Sequence, residues 1–236
     1  MHESVVFSIF GFEVTSAVIT TWGIMLILVI LSILATRNLK DVPGPLQNIA
    51  EIVVEKLHGF FAGIVGGEKA RKYLPIFGTF FIFVVVSNYS GLLPGIGEFK
   101  GFASPTASLS VTAGLAVCAF VVIHGLGIKE SGIRYFKSFL KPVAALLPLT
   151  LIEQIVRPVS LALRLYGNMY GEEQVGAELA KIFPILLPLL IKVLSLIFCL
   201  IQAMVFTMLL AIFVEESTEE IPGRLPRYRK KRIGGK

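Results

Sequence analysis

Long apolar runs alternate along this chain with shorter polar segments that carry most of the charges. The first run, from Val14 to Thr36, has no charged side chain and as a helix is long enough to cross about 30 Å of hydrocarbon. Four further runs follow, so the pattern predicts an all-α polytopic membrane protein with five transmembrane helices in one membrane domain, residues 1–236. The five predicted spans cover about residues 14–36, 74–94, 105–128, 143–171 and 183–214.

One segment between the first two spans has a different pattern. Apolar residues recur there at spacings of three and four, which is typical of a helix with one apolar face. We therefore predict an interfacial amphipathic helix at about residues 44–66, lying on the membrane surface. Its predicted apolar stripe consists of Leu46, Ile49, Val53, Leu57, Phe60 and Ile64.

The last two apolar runs are too long to cross a membrane upright. A helix over 143–170 would measure about 42 Å and one over 183–214 about 48 Å, against about 30 Å of hydrocarbon. Both should therefore tilt. The short segment between them, Gly171 to Lys181, predicts an outer turn, so the two spans should form a long antiparallel hairpin.

A polar stripe runs along the first helix of this predicted hairpin. At about 100° per residue, its members lie within about 40° of one direction. Arg157 precedes Pro158 and could cap or snorkel at a membrane boundary. Arg164 is surrounded by leucine and alanine, and such an intramembrane charge indicates an ion pathway. The stripe consists of Glu153, Arg157, Ser160, Arg164, Asn168 and Gly171.

The second helix of the hairpin carries polar side chains that could face this stripe. Ser195 and Gln202 are seven residues apart and therefore share a face. An amide can satisfy a guanidinium without neutralising it, so Gln202 is a candidate partner of Arg164.

The distribution of charge predicts the orientation of the chain. Basic residues concentrate between the first and second spans, between the third and fourth, and after the fifth. The positive-inside rule then places the N-terminus outside and the basic tail, residues 215–236, in the cytoplasm. Seven of the 22 basic residues lie between Arg224 and Lys236, so the net charge of +6 indicates a cytoplasmic flank at the lipid bilayer and no nucleic-acid partner.

The chain carries no motif that indicates covalent chemistry. It has no glycine-rich phosphate loop, no His/Cys metal cluster and no nucleophile motif, so we expect no catalysis by the chain itself, no metal and no cofactor. Cys118 and Cys199 lie inside apolar runs and are expected to be packing residues.

Two segments of the hairpin resemble a known family. Ser160 to Glu173 reads SLALRLYGNMYGEE and is similar to the signature of subunit a of bacterial F-type ATP synthases, and Ile201 to Leu209, IQAMVFTML, resembles a second block of that family. Asn88 with the run Gly91 to Pro94 is similar to a third block, and the run Pro105 to Thr112 to a fourth. The resemblance covers nearly the whole chain.

The resemblance implies a role for each polar position. Arg164 takes the place of the stator arginine beside the ring of c subunits, with Asn168 and Gln202 as its polar neighbours. Glu173 stands where the family has an acidic residue of the outer half-channel, and Ser195 where some members have His or Glu. The doubled Glu172–Glu173 leaves open which carboxylate is functional, because Glu172 lies nearer the Arg164 face whereas Glu173 fits the motif.

The resemblance also implies a mechanism and partners. Ions would pass through two offset half-channels to and from carboxylates of the c-subunit ring, and Glu153 is a candidate for the inner half-channel. The implied partners are the c-subunit ring, the b-subunit peripheral stalk and the F1 ATPase sector, in the bacterial plasma membrane. The alternative function is a self-contained ion channel or secondary transporter, which the absence of an inverted repeat disfavours.

Overall fold

The computed structural model describes residues 5–9, 12–37, 39–92, 104–132, 135, 147–183 and 186–218, and these residues are mostly helical. Parts of three predicted spans, at 93–94, 143–146 and 184–185, and most of the predicted basic tail, at 219–236, lie outside the described residues. The elements in chain order are strands β1 (Val5–Ile9) and β2 (Phe12–Thr15), helices α1 (Ser16–Thr36), α2 (Pro45–Val65) and α3 (Gly67–Leu92), a 3-10 turn (Pro105–Ala107), and helices α4 (Leu109–Ser131), α5 (Leu147–Ile182) and α6 (Leu186–Thr218).

A short hairpin precedes the first helix. Strands β1 and β2 pair antiparallel, with Ile9 opposite Phe12 and Val5 opposite Thr15. The sequence pattern predicts no element for residues 5–13 and places Val14 and Thr15 in the first span, because nine strand residues with few alternating positions give a weak signal beside the apolar run that follows.

Four of the described helices are long and apolar enough to cross a membrane. They are Ser16–Thr36, Gly67–Leu92, Leu109–Glu130 and Leu189–Thr218. Helix α5 is not among them, because charged and polar side chains lower its hydropathy. The protein is therefore a polytopic helical membrane protein.

The predicted outer turn at residues 171–181 is wrong. Helix α5 continues through it without a break to Ile182, for a total of 36 residues. The segment contains Glu, Gln, Ala, Leu and Lys, and their high helix propensity outweighs the cost of Gly171 and Gly176. Glu172 and Glu173 consequently lie on a helix, where their side chains point about 100° apart.

Helix α6 lies at the centre of the packing. Phe206 and Ala203 are buried in a cluster with Val84 of α3 and with Leu161 and Leu165 of α5. A second cluster joins α6 to α2, α3 and α4 toward the other end, through Leu57, Phe61, Phe77, Ala119, Ile123 and Leu210. The first cluster packs α5 against α6, and so brings together the polar side chains that lie between these two helices.

Helix α2 is buried over only part of its length. Leu57, Phe61 and Val65 are its buried residues, whereas Leu46, Ile49 and Val53 are exposed. In the second half of α2, Phe60 and Ile64 of the predicted apolar stripe are only partly buried. The buried residues there are the next ones along the chain, Phe61 and Val65.

Candidate functional site

Arg164 lies near the middle of α5 on a face that the other described residues leave uncovered. Its neighbours Leu161 and Leu165 are buried against α3 and α6, while Leu163 and Arg164 itself are exposed. No hydrogen bond or ion pair of its guanidinium is formed with any residue that the structure describes. A charged side chain among apolar residues requires water or an opposite charge, and the described part of the chain supplies no carboxylate for it.

Gln202 does not form a hydrogen bond with its candidate partner Arg164 in the described residues. Its Oε1 accepts a hydrogen bond of 2.6 Å from Asn168 Nδ2, one turn beyond Arg164 on α5. A carbonyl oxygen can accept from an amide donor as well as from a guanidinium. The Nε2 atom of Gln202 is buried and has no partner in the described residues, so it retains donors for a further group.

Near Ser195 the site contains two carboxylates and a hydroxyl. Ser195 is buried on α6 and donates to Ile191 O at 2.8 Å within its own helix. Its hydroxyl also lies within interaction range of the Glu172 carboxylate of α5. Glu173 is exposed and close enough to Glu172 for the two negative charges to repel each other. The structure therefore brings Ser195 to Glu172 and leaves Glu173 facing outward.

At the other end of the site an ion cluster surrounds Arg157. Its Nη2 bonds to Glu153 Oε1 at 2.6 Å, one turn earlier on α5, and its Nη1 bonds to Glu216 Oε2 on α6. The guanidinium also lies over the Phe213 ring, 4.7 Å from the centroid. Arg157, left open as a boundary cap or a snorkelling residue, thus has carboxylate partners, and Glu153 is not a free acid.

Glu216 and Phe213 are the members of this cluster that sequence reasoning missed. A signal was available, because Glu216 follows Gln202 by 14 residues and therefore falls within about 40° of it on a helix. It was overlooked because it lies past the predicted end of the last span, at residue 214.

Asn88 of the third family block has a packing contact. Its Nδ2 donates to Cys199 O of α6 at 3.2 Å, and Cys199 Sγ in turn lies 3.9 Å from Met169 Sδ of α5. The neighbouring Tyr89 donates to Leu196 O at 2.9 Å. Polar side chains of α3 thus hold the N-terminal half of α6, in the manner expected of helices in lipid.

These features define the class of protein. It is a polytopic helical membrane protein in which α5 and α6 are joined by polar contacts. Beside these contacts lies Arg164, which is exposed and has no partner in the described residues. The sequence model of the ATP synthase A chain family matches residues 18–215. ATP synthase subunit a 2 of Syntrophotalea carbinolica is 44% identical over 171 residues, which are 71% of this chain and 70% of that protein. ATP synthase subunit a of Moorella thermoacetica is 39% identical over 183 residues, 77% of this chain and 81% of that protein. The chain belongs to the ATP synthase A chain family.

Proposed function

We propose that the protein is the stator ion-channel subunit of an F-type ATP synthase, in its membrane sector. It provides two offset half-channels that carry H⁺ or Na⁺ to and from carboxylates on the c-subunit ring, and so couples ion flow to rotation and ATP synthesis. The chain itself makes and breaks no covalent bond. The relatives' names, ATP synthase subunit a, support this role.

The observation that carries the proposal is the isolated charge of Arg164. It is exposed between apolar side chains and has no carboxylate among the described residues, so its counter-charge must come from outside this part of the chain. A carboxylate that passes on a rotating ring would supply that charge. The guanidinium stays ionised when partly desolvated, so it favours the ionised ring carboxylate and blocks direct passage of a cation.

The polar contacts around Arg164 support the same mechanism. The Asn168–Gln202 hydrogen bond fixes the amide beside the arginine, and Gln202 Nε2 keeps free donors for a passing carboxylate. Glu172, Glu173 and Ser195 on one side of Arg164 would line the outer half-channel. Glu153 and Arg157 on the other side would lie at the inner half-channel.

We propose a topology of five transmembrane helices, with α5 as the fourth and α2 as the interfacial helix. The N-terminus would lie outside and the basic tail in the cytoplasm, in a bacterial plasma membrane. Partners would be the c-subunit ring, the b-subunit peripheral stalk and, through the complex, the F1 ATPase sector. Labelling of single cysteines from each side of intact cells tests this, and a tail that reacts only from outside would refute it.

The decisive experiment replaces Arg164 by Ala in the assembled complex, reconstituted into vesicles. We expect the variant to insert and assemble, to lose ion-driven ATP synthesis, and to leak ions passively between the joined half-channels. The matched control is Leu163→Ala, which changes the adjacent exposed residue and should retain synthesis. Substantial coupled synthesis by Arg164→Ala would overturn the mechanism.

The same experiment separates this function from a self-contained ion channel or secondary transporter. Such a protein would conduct ions when reconstituted without the ring, and its flux would not depend on ATP synthesis. The proposed subunit should conduct only when the c-subunit ring is present, since the ring supplies the ion-binding carboxylates.

A further inference from the structure

The last turn of α6 carries two consecutive glutamates that bond in different directions. Glu215 Oε1 lies 3.5 Å from Lys69 Nζ of α3, and Glu216 Oε2 bonds to Arg157 Nη1 of α5. Successive residues of a helix point about 100° apart, so the two carboxylates hold α6 from two sides. The end of α6 is therefore bracketed between α3 and α5.

The contact with α5 is the better defined of the two. The Arg157 side chain is 21% exposed, against 36% for both Lys69 and Glu215. Its guanidinium bonds to Glu216 and lies over the ring of Phe213, and these two α6 residues are three apart and hence on one face. A planar group held at its edge by a carboxylate and at its face by a ring has little rotational freedom.

This contact and the Asn168–Gln202 bond lie on the same faces of the two helices. Asn168 follows Arg157 by 11 residues and Gln202 precedes Glu216 by 14, which are about 20° and 40° apart on ideal helices. Two polar contacts at different positions along a pair of helices limit how far one helix can slide along the other and how far it can rotate. The buried residues between them, including Leu161, Leu165 and Phe206, are apolar and would tolerate small shifts.

We propose that the Arg157–Glu216 bond is a positioning contact that sets the register of α6 against α5. It keeps Gln202 on Asn168 and thereby holds the amide pair next to Arg164. Arg157 and Glu216 act through this alignment and need not touch the ion. The consequence for ion transfer rests on the proposed function, whereas the effect on register does not.

The chain contains a reporter for this register. Cys199 of α6 lies in contact with Met169 of α5, so Met169→Cys places a second thiol opposite a native one. With the exposed Cys118 replaced by Ser, the assembled complex is treated with an oxidant and, in parallel, with a short bifunctional thiol reagent. Mass spectrometry of alkylated peptides then gives the rate at which residues 169 and 199 become bridged.

The test variant is Glu216→Gln and the matched control is Glu153→Gln. Both remove one half-exposed carboxylate from Arg157, but Glu153 lies on α5 itself and cannot set its register against α6. We expect Glu216→Gln to change the bridging rate by about fivefold and Glu153→Gln to leave it unchanged. Exchange of the charges, Arg157→Glu with Glu216→Arg on the Glu153→Gln background, should restore the parent rate.

Two results would overturn the proposal: a parent-like bridging rate in Glu216→Gln, or an equal change in Glu153→Gln. Ion pumping driven by ATP is measured on the same samples, and it should fall in Glu216→Gln. Bridging does not require ion flow, so failure of the proposed function would leave the register result intact.

Discussion

Two arginines lie two turns apart on α5, and their surroundings differ. Arg157 is bonded to Glu153 and Glu216 and lies over Phe213. Arg164 points from the same face of the helix, is exposed, and has no hydrogen-bonding or ionic partner in the described residues. The same residue type thus occurs once as a satisfied member of an ion cluster and once as a free charge.

This difference indicates which of the two arginines, Arg157 or Arg164, the fold itself requires. Removal of an ion-paired group leaves its partners uncompensated, whereas removal of an isolated charge from an apolar surface relieves a solvation cost. Arg157 should therefore matter to stability and helix alignment. Arg164 should matter to function, because the fold gains nothing from it.

The largest expected effect is on ATP synthesis, when Arg164 is replaced by lysine and compared with the same replacement at Arg157. Arg164→Lys should lower coupled ATP synthesis by about tenfold or more, because an ammonium lacks the planar five-donor fork that can bridge neighbouring amides and a passing carboxylate. Arg157→Lys keeps a charge between two glutamates and should retain most synthesis. Reconstituted vesicles provide the measurement, and equal losses in both variants would erase the functional distinction.

The next largest effect is on stability, when Arg157 or Arg164 is replaced by glutamine. Arg157→Gln should lower the free energy of unfolding by about 1 kcal/mol, a value kept small because both partner carboxylates are half exposed. Arg164→Gln should leave it unchanged or raise it. Thermal unfolding of the purified protein in detergent checks this, and a larger loss for Arg164→Gln would contradict the comparison.

A smaller effect is expected at the hydrogen-bonded amide pair of Asn168 and Gln202. Gln202→Leu removes the acceptor of Asn168 and should lower coupled synthesis by about threefold, the value of one hydrogen bond of ordinary strength. The control is Thr207→Val on the same helix, which is also buried and bonds only to Ala203 O and Met204 O of its own helix. Similar losses in both variants would reduce Gln202 to a packing residue.

The smallest expected effect separates the outer carboxylates. Glu173→Gln should slow ATP synthesis by about twofold, because an exposed carboxylate concentrates cations at the entrance of a channel. Glu172→Gln should slow it less, since Glu172 lies against Ser195. Initial rates at limiting ion concentration are the readout, and wild-type rates in both variants would remove these groups from the pathway.

Much of the fold could be predicted from the sequence because it depends on local pattern. Long apolar runs with at most one charged residue indicate the helices α1, α3, α4 and α6, since membrane insertion responds to hydropathy over about 20 residues. The polar stripe through Arg164 follows from the fixed turn of a helix. Family membership was equally accessible, because the motif between Ser160 and Glu173 is local in sequence.

Contacts between helices were decided only by the tertiary structure. Gln202 shares a face with Ser195 in any α6 helix, but whether it meets Arg164 or Asn168 depends on a relative rotation and slide of α5 and α6 that no local pattern encodes. The same holds for Glu216, whose partner Arg157 is 59 residues away in the chain. Side chains so distant in sequence meet only when α5 and α6 pack against each other, and that packing gave Arg157 its partners, while Arg164 has none in the described residues.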